Sequence, residues 1–289
     1  MPPIIDMRNR PTWLHPFFGA APGTPDYDVV RWLNRRVGSR DVDHFTRAPD
    51  LAAYLAEIEA AGIAHAFMVG RSTPTVRIGN DDLADLVGRS GGRLSAALSV
   101  DPVDRGADAA AQEADRLLAT GHFAALNVDG GFYATPLQPD DPLLLPLYEV
   151  ARARKVPVFV MSGPTTPDLA FNDPRAVGRL AASFKDLPLI VSHGLYPNVA
   201  EAVAIAFRHE NVFLSPDMYM FAPGGGLYIE AANGFMADQY LFGTSYPFRA
   251  MRQSVEDLGA MGLKPDVLDK VAWRTAARLF ALPAPAQAS

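Results

Sequence analysis

Six polar residues scattered along the chain are of the types that anion binding and proton transfer require: Asp6, Arg8, Arg10, His193, Asp217 and Ser245. In "IIDMRNRP" (4–11) an apolar run leads into Asp6, Arg8 and Arg10, each two residues apart. Side chains at that spacing share one side of a strand, and three charges there are costly unless something pairs with them. Two guanidiniums offer forked donors suited to a carboxylate, enolate or phosphate oxygen; they are equally able to pair internally with Asp6, Asp129 or Asp217. His193 is a candidate acid or base near neutral pH, against the plainer reading of a core imidazole. Ser245, in "GTSYP", is inert without a base. A Ser245–His193–Asp217 relay is one arrangement, and a small polar filler or substrate hydrogen-bond donor is the other. Asp217 ("SPDMY") and Asp129 serve as a base or as counter-ions for the arginines.

Such residues need a scaffold that gathers them. Short apolar runs recur at 4–8, 64–70, 94–100, 123–128, 156–161, 188–193, 211–215 and 239–243. Most are followed by Ala- and Leu-rich stretches with helical spacing, such as "DLAAYLAEIEAAG", "DAAAQEADRLLATG" and "DPLLLPLYEVARARK". Eight strands alternating with helices in this length predict an α/β fold, a single-domain (β/α)8 barrel over residues 1–282. The near-continuous apolar runs suit strands covered on both faces. Residues 11–48 form a long first connection, read as a lid or subunit contact, and the tail 283–289 reads as disordered.

In such a barrel, chemistry gathers at the C-terminal ends of the strands. That rule adds Arg71 ("VGRSTP") as a third positive group. Asn127, Ser162, Tyr219 and Tyr246 join Arg8, Arg10 and Arg71 as candidate substrate contacts, beside His193, Asp217 and Ser245 as candidate catalytic groups. Trp13, His15 and His44, in the long first connection, are placed to cover the site. His65, His122 and His209 fall at strand starts and receive no role. "APGGGLY" (222–228) matches no nucleotide fingerprint and reads as a flexible turn.

Composition narrows the classes. The chain has 289 residues, 49% hydrophobic, with a net charge of −6 and no basic run, which argues against nucleic acid and anionic membranes as partners. No apolar run approaches the ~20 residues of a membrane helix. The N-terminus lacks the basic lead and long apolar segment of a signal peptide, so the expectation is a cytoplasmic protein. Cysteine is absent, which removes disulfides, thiolate ligands and a Cys nucleophile.

From "IIDMR" to "KVAWRTAARLFAL" the chain resembles the amidohydrolase superfamily, in its amidohydrolase-2 branch of decarboxylases and lactonases. "VSHG" (191–194), "YLFGTSYPF" (240–248) and "AWRTAARLF" (272–280) carry the resemblance, and "GRLSAALSVDP" (92–102) resembles the third strand. That family implies a metal held by Asp-x-His-x-His on strand one, histidines on strands five and six, and an aspartate after strand eight. Matched residue by residue, this chain has Arg8 and Arg10 for the first two histidines, Met161 or Ser162 for the third, and Ser245 for the aspartate. Only His193 is kept. A divalent metal needs three or four N, O or S ligands, so the expectation is no metal and no other cofactor.

The leading expectation is therefore a metal-independent enzyme acting on a small anionic organic acid. Its arginine pair would clamp a carboxylate or oxyanion while His193 moves protons, most plausibly in hydrolysis of a lactone, ester or amide. A metal-free decarboxylase, lyase or isomerase of an unsaturated or aromatic acid is the rival. A non-catalytic carboxylate-binding barrel is a second rival, and a metal enzyme using His193, Asp217 and Asp129 a third. A homodimer through the first connection is an analogy from the fold.

Overall fold

The protein, a computed structural model describing residues 1–283, is built around seven parallel strands in sequence order. They are β1 (Ile4–Asn9), β2 (Ile63–Val69), β3 (Leu94–Ser99), β4 (Ala125–Val128), β5 (Val158–Met161), β6 (Leu189–Ser192) and β7 (Val212–Ser215). Each strand is apolar on both faces because each face meets a different core. Phe67, Ala97, Phe159, Ile190 and Phe213 point into the barrel, whereas their neighbours Met68, Leu98, Val160, Val191 and Leu214 pack against the surrounding helices. The alternation is one of destination, not of polarity, which is why the sequence shows continuous runs.

The expected eighth strand at 239–243 is not a regular strand. It closes the barrel through isolated bridges, Leu214 to Tyr240 and Asn9 to Tyr246. Leu241 N–H donates to Leu214 O and Met7 N–H to Phe242 O, both at 2.9 Å. Leu241 still points into the interior core. The ladder cannot lengthen because the chain turns at once. Ser245 has φ +57° and the Tyr246–Pro247 bond is cis.

The C-terminal segment plugs the opposite end. Trp273, Leu279 and Phe280 pack on the interior cluster, with the Phe280 ring 4.2 Å from Phe67. The expected helices form over Leu51–Ala60, Ala107–Leu118 and Leu145–Arg154. Asp50 caps the first by accepting from Ala53 N–H.

The long first connection is ordered rather than a bare loop. It carries helix α1 (Pro25–Arg36), capped by Thr24, with acids in its first turn and arginines in its last, as the helix dipole favours. Its own small core joins Ala20, Val30 and Phe45 to Phe248 of the barrel. The expected tail at 283–289 lies, from residue 284 on, outside the described residues. No helix among the described residues is long and apolar enough to cross a membrane.

Candidate active site

At the strands' C-terminal ends the chain buries three guanidiniums, Arg8, Arg10 and Arg71. They are not equivalent. Arg8 is 1% exposed; it donates Nη1–H to Ser192 Oγ (2.8 Å) and Nη2–H to Met161 Sδ (3.0 Å). Its Nε lies 3.7 Å from Asp217 Oδ2. One side chain thus ties the ends of β5 and β6 to the turn after β7, beneath the cavity. Arg10 donates Nε–H to Val69 O at 3.1 Å and lies 5.5 Å from the Phe18 ring centre; its Nη2 has no partner among the described residues. Arg71 stacks 4.1 Å over Phe132, and its Nε likewise lacks a partner. Burial, then repulsion from Arg8 and Arg71, pushes Arg10 well below the usual guanidinium range, against the pull of Asp129 and Asp217.

Asp6 pairs with none of the arginines. The register of β1 against β2 breaks between Asp6 and Asn9, and the Asp6 carboxylate turns onto neighbouring donors. It accepts from Arg8 N–H (3.0 Å), Asn9 Nδ2–H (3.2 Å), Thr244 N–H (2.8 Å) and Thr244 Oγ1–H (2.6 Å). Burial raises its pKa to about 6 despite these bonds. Asp6 staples β1 to the turn that follows the eighth stave.

His193 and Asp217 form the second unit. Asp217 Oδ1 accepts from Ser215 Oγ–H at 2.6 Å, and Oδ2 from the His193 backbone N–H at 3.1 Å. His193 Nδ1 also lies 3.1 Å from Oδ2, but too bent to count as a hydrogen bond, so the contact is chiefly electrostatic. The histidine pKa falls to about 4, first through burial, then through Arg8 and Arg10, with Asp217 opposing. The imidazole is therefore neutral at pH 7. His193 (φ +60°), Leu195 (φ +62°) and Asp217 (φ +54°) all adopt the left-handed region, strain that concentrates at functional sites. The packing there is close: a Cβ on Gly243 would collide with Asp217 Oδ1.

The remaining candidates divide sharply. The Ser245 N–H pairs with Arg8 O, its Oγ finds no partner among the described residues, and no Ser245–His193–Asp217 relay is assembled. Tyr246 packs against His44 and Tyr54 and is not among the residues that line the cavity. Asn127 donates to Gly70 O and Asp129 Oδ2, and Ser162 bonds Ser192 O while accepting from Leu195 N–H. Both brace the backbone rather than face the cavity. Tyr219 sits edge-on to His193 at 5.3 Å and stacks on Tyr196, orienting the imidazole from behind. The Arg8 guanidinium likewise is not among the groups that line the cavity and lies under it.

The cavity itself, about 510 Å³, is lined by Arg10, Arg71, His193 and Met161, with aromatic walls from Phe17, Phe18, Trp32, Phe132 and Phe248. Of the three covering residues expected from the first connection, His15 reaches it, while Trp13 and His44 do not. The aromatic walls escaped the sequence reading. Their signal was the density of aromatics in 11–48 and the Phe ending "YPF" (246–248).

The donor set does not fit a divalent ion. Arg8 already places a cation among Met161, Ser192 and Asp217, and among the described residues no three His, Asp or Glu side chains group as ligands. Metal centres require three or four such donors.

A single-domain α/β barrel whose polar cluster sits at the strand C-termini defines the class of barrel enzymes. Within it, the chain belongs to the amidohydrolase family: the profile Amidohydro_2, described as Amidohydrolase, matches residues 6–282. The chain is similar to a TIM-barrel protein of Bordetella bronchiseptica, itself uncharacterised, at 30% identity and a TM-score of 0.86, covering 96% of this chain and 98% of that one. It shares the fold of a dihydroxybenzoic acid decarboxylase from Polaromonas sp. JS666 with bound manganese, at 18% identity and a TM-score of 0.69, covering 98% of each. It likewise resembles a probable 2-pyrone-4,6-dicarboxylic acid hydrolase from Acinetobacter baumannii, at 10% identity and 0.63, covering 96% of this chain and 99% of that one. No curated protein sequence matches.

Proposed function

We propose that this amidohydrolase-family barrel is a metal-independent enzyme that hydrolyses a lactone, ester or amide bond in a small organic monoanion. The observation that carries the reading is a neutral, carboxylate-backed His193 facing a cavity lined by Arg10 and Arg71. The guanidiniums of Arg8, Arg10 and Arg71 share a buried cluster with the carboxylates of Asp6, Asp129 and Asp217, and of the three cations Arg10 and Arg71 line the cavity, each with a nitrogen that has no partner among the described residues. A buried donor without a partner is costly until an acceptor joins it, and a guanidinium donor favours a negatively charged one, so this wall suits an anionic group.

In the reaction, the ring nitrogen of His193 that does not face Asp217 takes a proton from water as the water oxygen bonds to the scissile carbonyl carbon. The carbonyl oxygen becomes an oxyanion beside Arg10 and Arg71. Collapse of that adduct breaks the C–O or C–N bond, and the leaving group recovers the proton from the imidazolium. Asp217 stabilises the transient positive charge and fixes the ring, while Arg8 fixes Asp217. Arg8 is a positioning residue.

A second reading, decarboxylation, draws on the aromatic walls, which would desolvate an aryl carboxylate held by the same arginines. One experiment separates them. Chelator-treated protein is offered carboxylate-bearing lactones and esters, and aryl carboxylates, while acid release and CO2 release are followed. Acid release lost in His193→Gln is the expected result. Turnover that appears only after zinc or manganese is added would overturn the metal-independent reading.

A further inference from the structure

His15 is the histidine of the first connection that lines the cavity; the reaction above does not use it, and its geometry is specific. The Phe17 backbone N–H donates to its Nδ1 at 3.1 Å, so in the neutral ring the proton sits on Nε2. Partial burial lowers the pKa of this ring, opposed by Asp26, which keeps it neutral at pH 7. The turn that carries it is closed by its own carbonyl, which accepts from Phe18 N–H (3.0 Å) and Gly19 N–H (3.2 Å). A Cβ on Gly19 would come within 2.7 Å of Thr12 O, so the turn is packed tightly against the chain before it. His15 is thus a fixed tautomer on a fixed turn.

It lines the same cavity as Arg10, and one ring lies beside both. The Arg10 guanidinium is 5.5 Å from the Phe18 centre, and the His15 ring is 6.1 Å from it, edge-on. An anion-binding donor and a neutral donor therefore flank one aromatic wall.

We infer that His15 forms a second polar subsite, which selects monoanions carrying a neutral hydrogen-bond acceptor at the end remote from the carboxylate. The inference rests on the proposed arginine clamp and names a feature of its ligand that the clamp alone does not require. A neutral acceptor suits this subsite better than a second anion, because His15 is uncharged and Asp26 lines the same cavity.

Isosteric probes test it: 3- and 4-acetylbenzoate, which carry a distal carbonyl, against 3- and 4-isopropylbenzoate, which match them in shape without it. Binding is measured by calorimetry to the full-length protein. The expected result is a preference of about 3- to 10-fold for at least one acetyl probe, the range a neutral hydrogen bond supplies. His15→Phe should abolish that preference while binding the isopropyl probes as before. His15→Gln, which keeps an N–H donor, should retain part of it, and His15→Leu replaces the Phe variant should the larger ring fail to pack. Equal binding of both probe types by the unaltered protein, or a preference that survives in His15→Phe, overturns the subsite and leaves the clamp standing. Failure of the unaltered protein to bind any of the four benzoates overturns the clamp and the subsite together.

Discussion

On the floor of the cavity, Arg8 bonds Ser192 and Met161 through its two Nη groups and holds its Nε 3.7 Å from the Asp217 carboxylate. On the wall, Arg10 and Arg71 lie against aromatic rings and line the cavity, and among the described residues neither has a carboxylate within ion-pair distance, although all three arginines keep one nitrogen without a hydrogen-bond partner. Residue type and burial are nearly the same in both places. The difference lies in what remains for a guest. A buried charge paired with a carboxylate away from the cavity is a structural cation; one without such a pair, at the surface of a cavity, is a binding group. In the proposed reaction, floor and wall divide two tasks between separate residues, holding Asp217 and receiving an oxyanion.

The contrast breaks first at Arg8. Arg8→Met leaves Asp217 buried beside a neutral side chain, and breaking one partner of a buried pair costs about 3–5 kcal/mol. A large fall in the urea midpoint is expected, as is loss of binding through misplacement of His193. If Arg8→Met were as stable as the parent yet failed to bind anions, the two regions would have to exchange roles.

His193→Gln should leave the cavity intact and reduce turnover by about 10²–10⁴, the range of a positioned acid–base group. Binding of the benzoate probes should hardly change. A proportionate loss of binding would place the imidazole in ligand recognition instead.

On the wall, Arg71→Met is expected to weaken benzoate binding by about 1.5–3 kcal/mol, as for hydrogen bonds to charged groups. Its thermal midpoint should shift far less than that of Arg8→Met, because Arg71 has no carboxylate partner to leave exposed. Comparable destabilisation in both variants would erase the distinction between floor and wall.

The sequence showed the barrel more fully than the site. Seven strands fall within two residues of the apolar runs, because strands buried on both faces announce themselves locally. The eighth stave did not form a ladder, since Gly243 and the turn at Ser245 end it where the run still looks apolar. The arginine pair was visible as charge but not as two functions. Alternation predicts one shared face, and the register break in β1 undoes it between Asp6 and Asn9. Arg8's partners Met161 and Ser192 stand 153 and 184 residues away, so no local pattern could reveal that both of its Nη groups are engaged. Ser245 looked like a nucleophile for the same reason: its spacing from His193 says nothing about which way a left-handed turn aims its hydroxyl. The aromatic walls come from several loops, each unremarkable alone.

The smallest expected effect is in the pH dependence of stability, where staple and floor oppose each other. Asp6 has a folded pKa of about 6, raised by burial from the model-peptide value of 3.8, so between those values the native state holds more protons and stability falls as pH rises. His193 has a folded pKa of about 4, lowered by burial from 6.5, so between those values the unfolded state holds more protons and stability rises with pH. From pH 4 to 6 the two slopes have opposite sign and nearly cancel. Urea unfolding across that range should therefore show little dependence traceable to either group in the parent. His193→Gln removes the rise and should uncover a stability that declines towards pH 6, while Asp6→Asn removes the decline and should uncover one that climbs. Parallel pH profiles for parent and His193→Gln would mean that the imidazole is not held neutral by the floor, and the assignment of His193 as the resting base would fall with it.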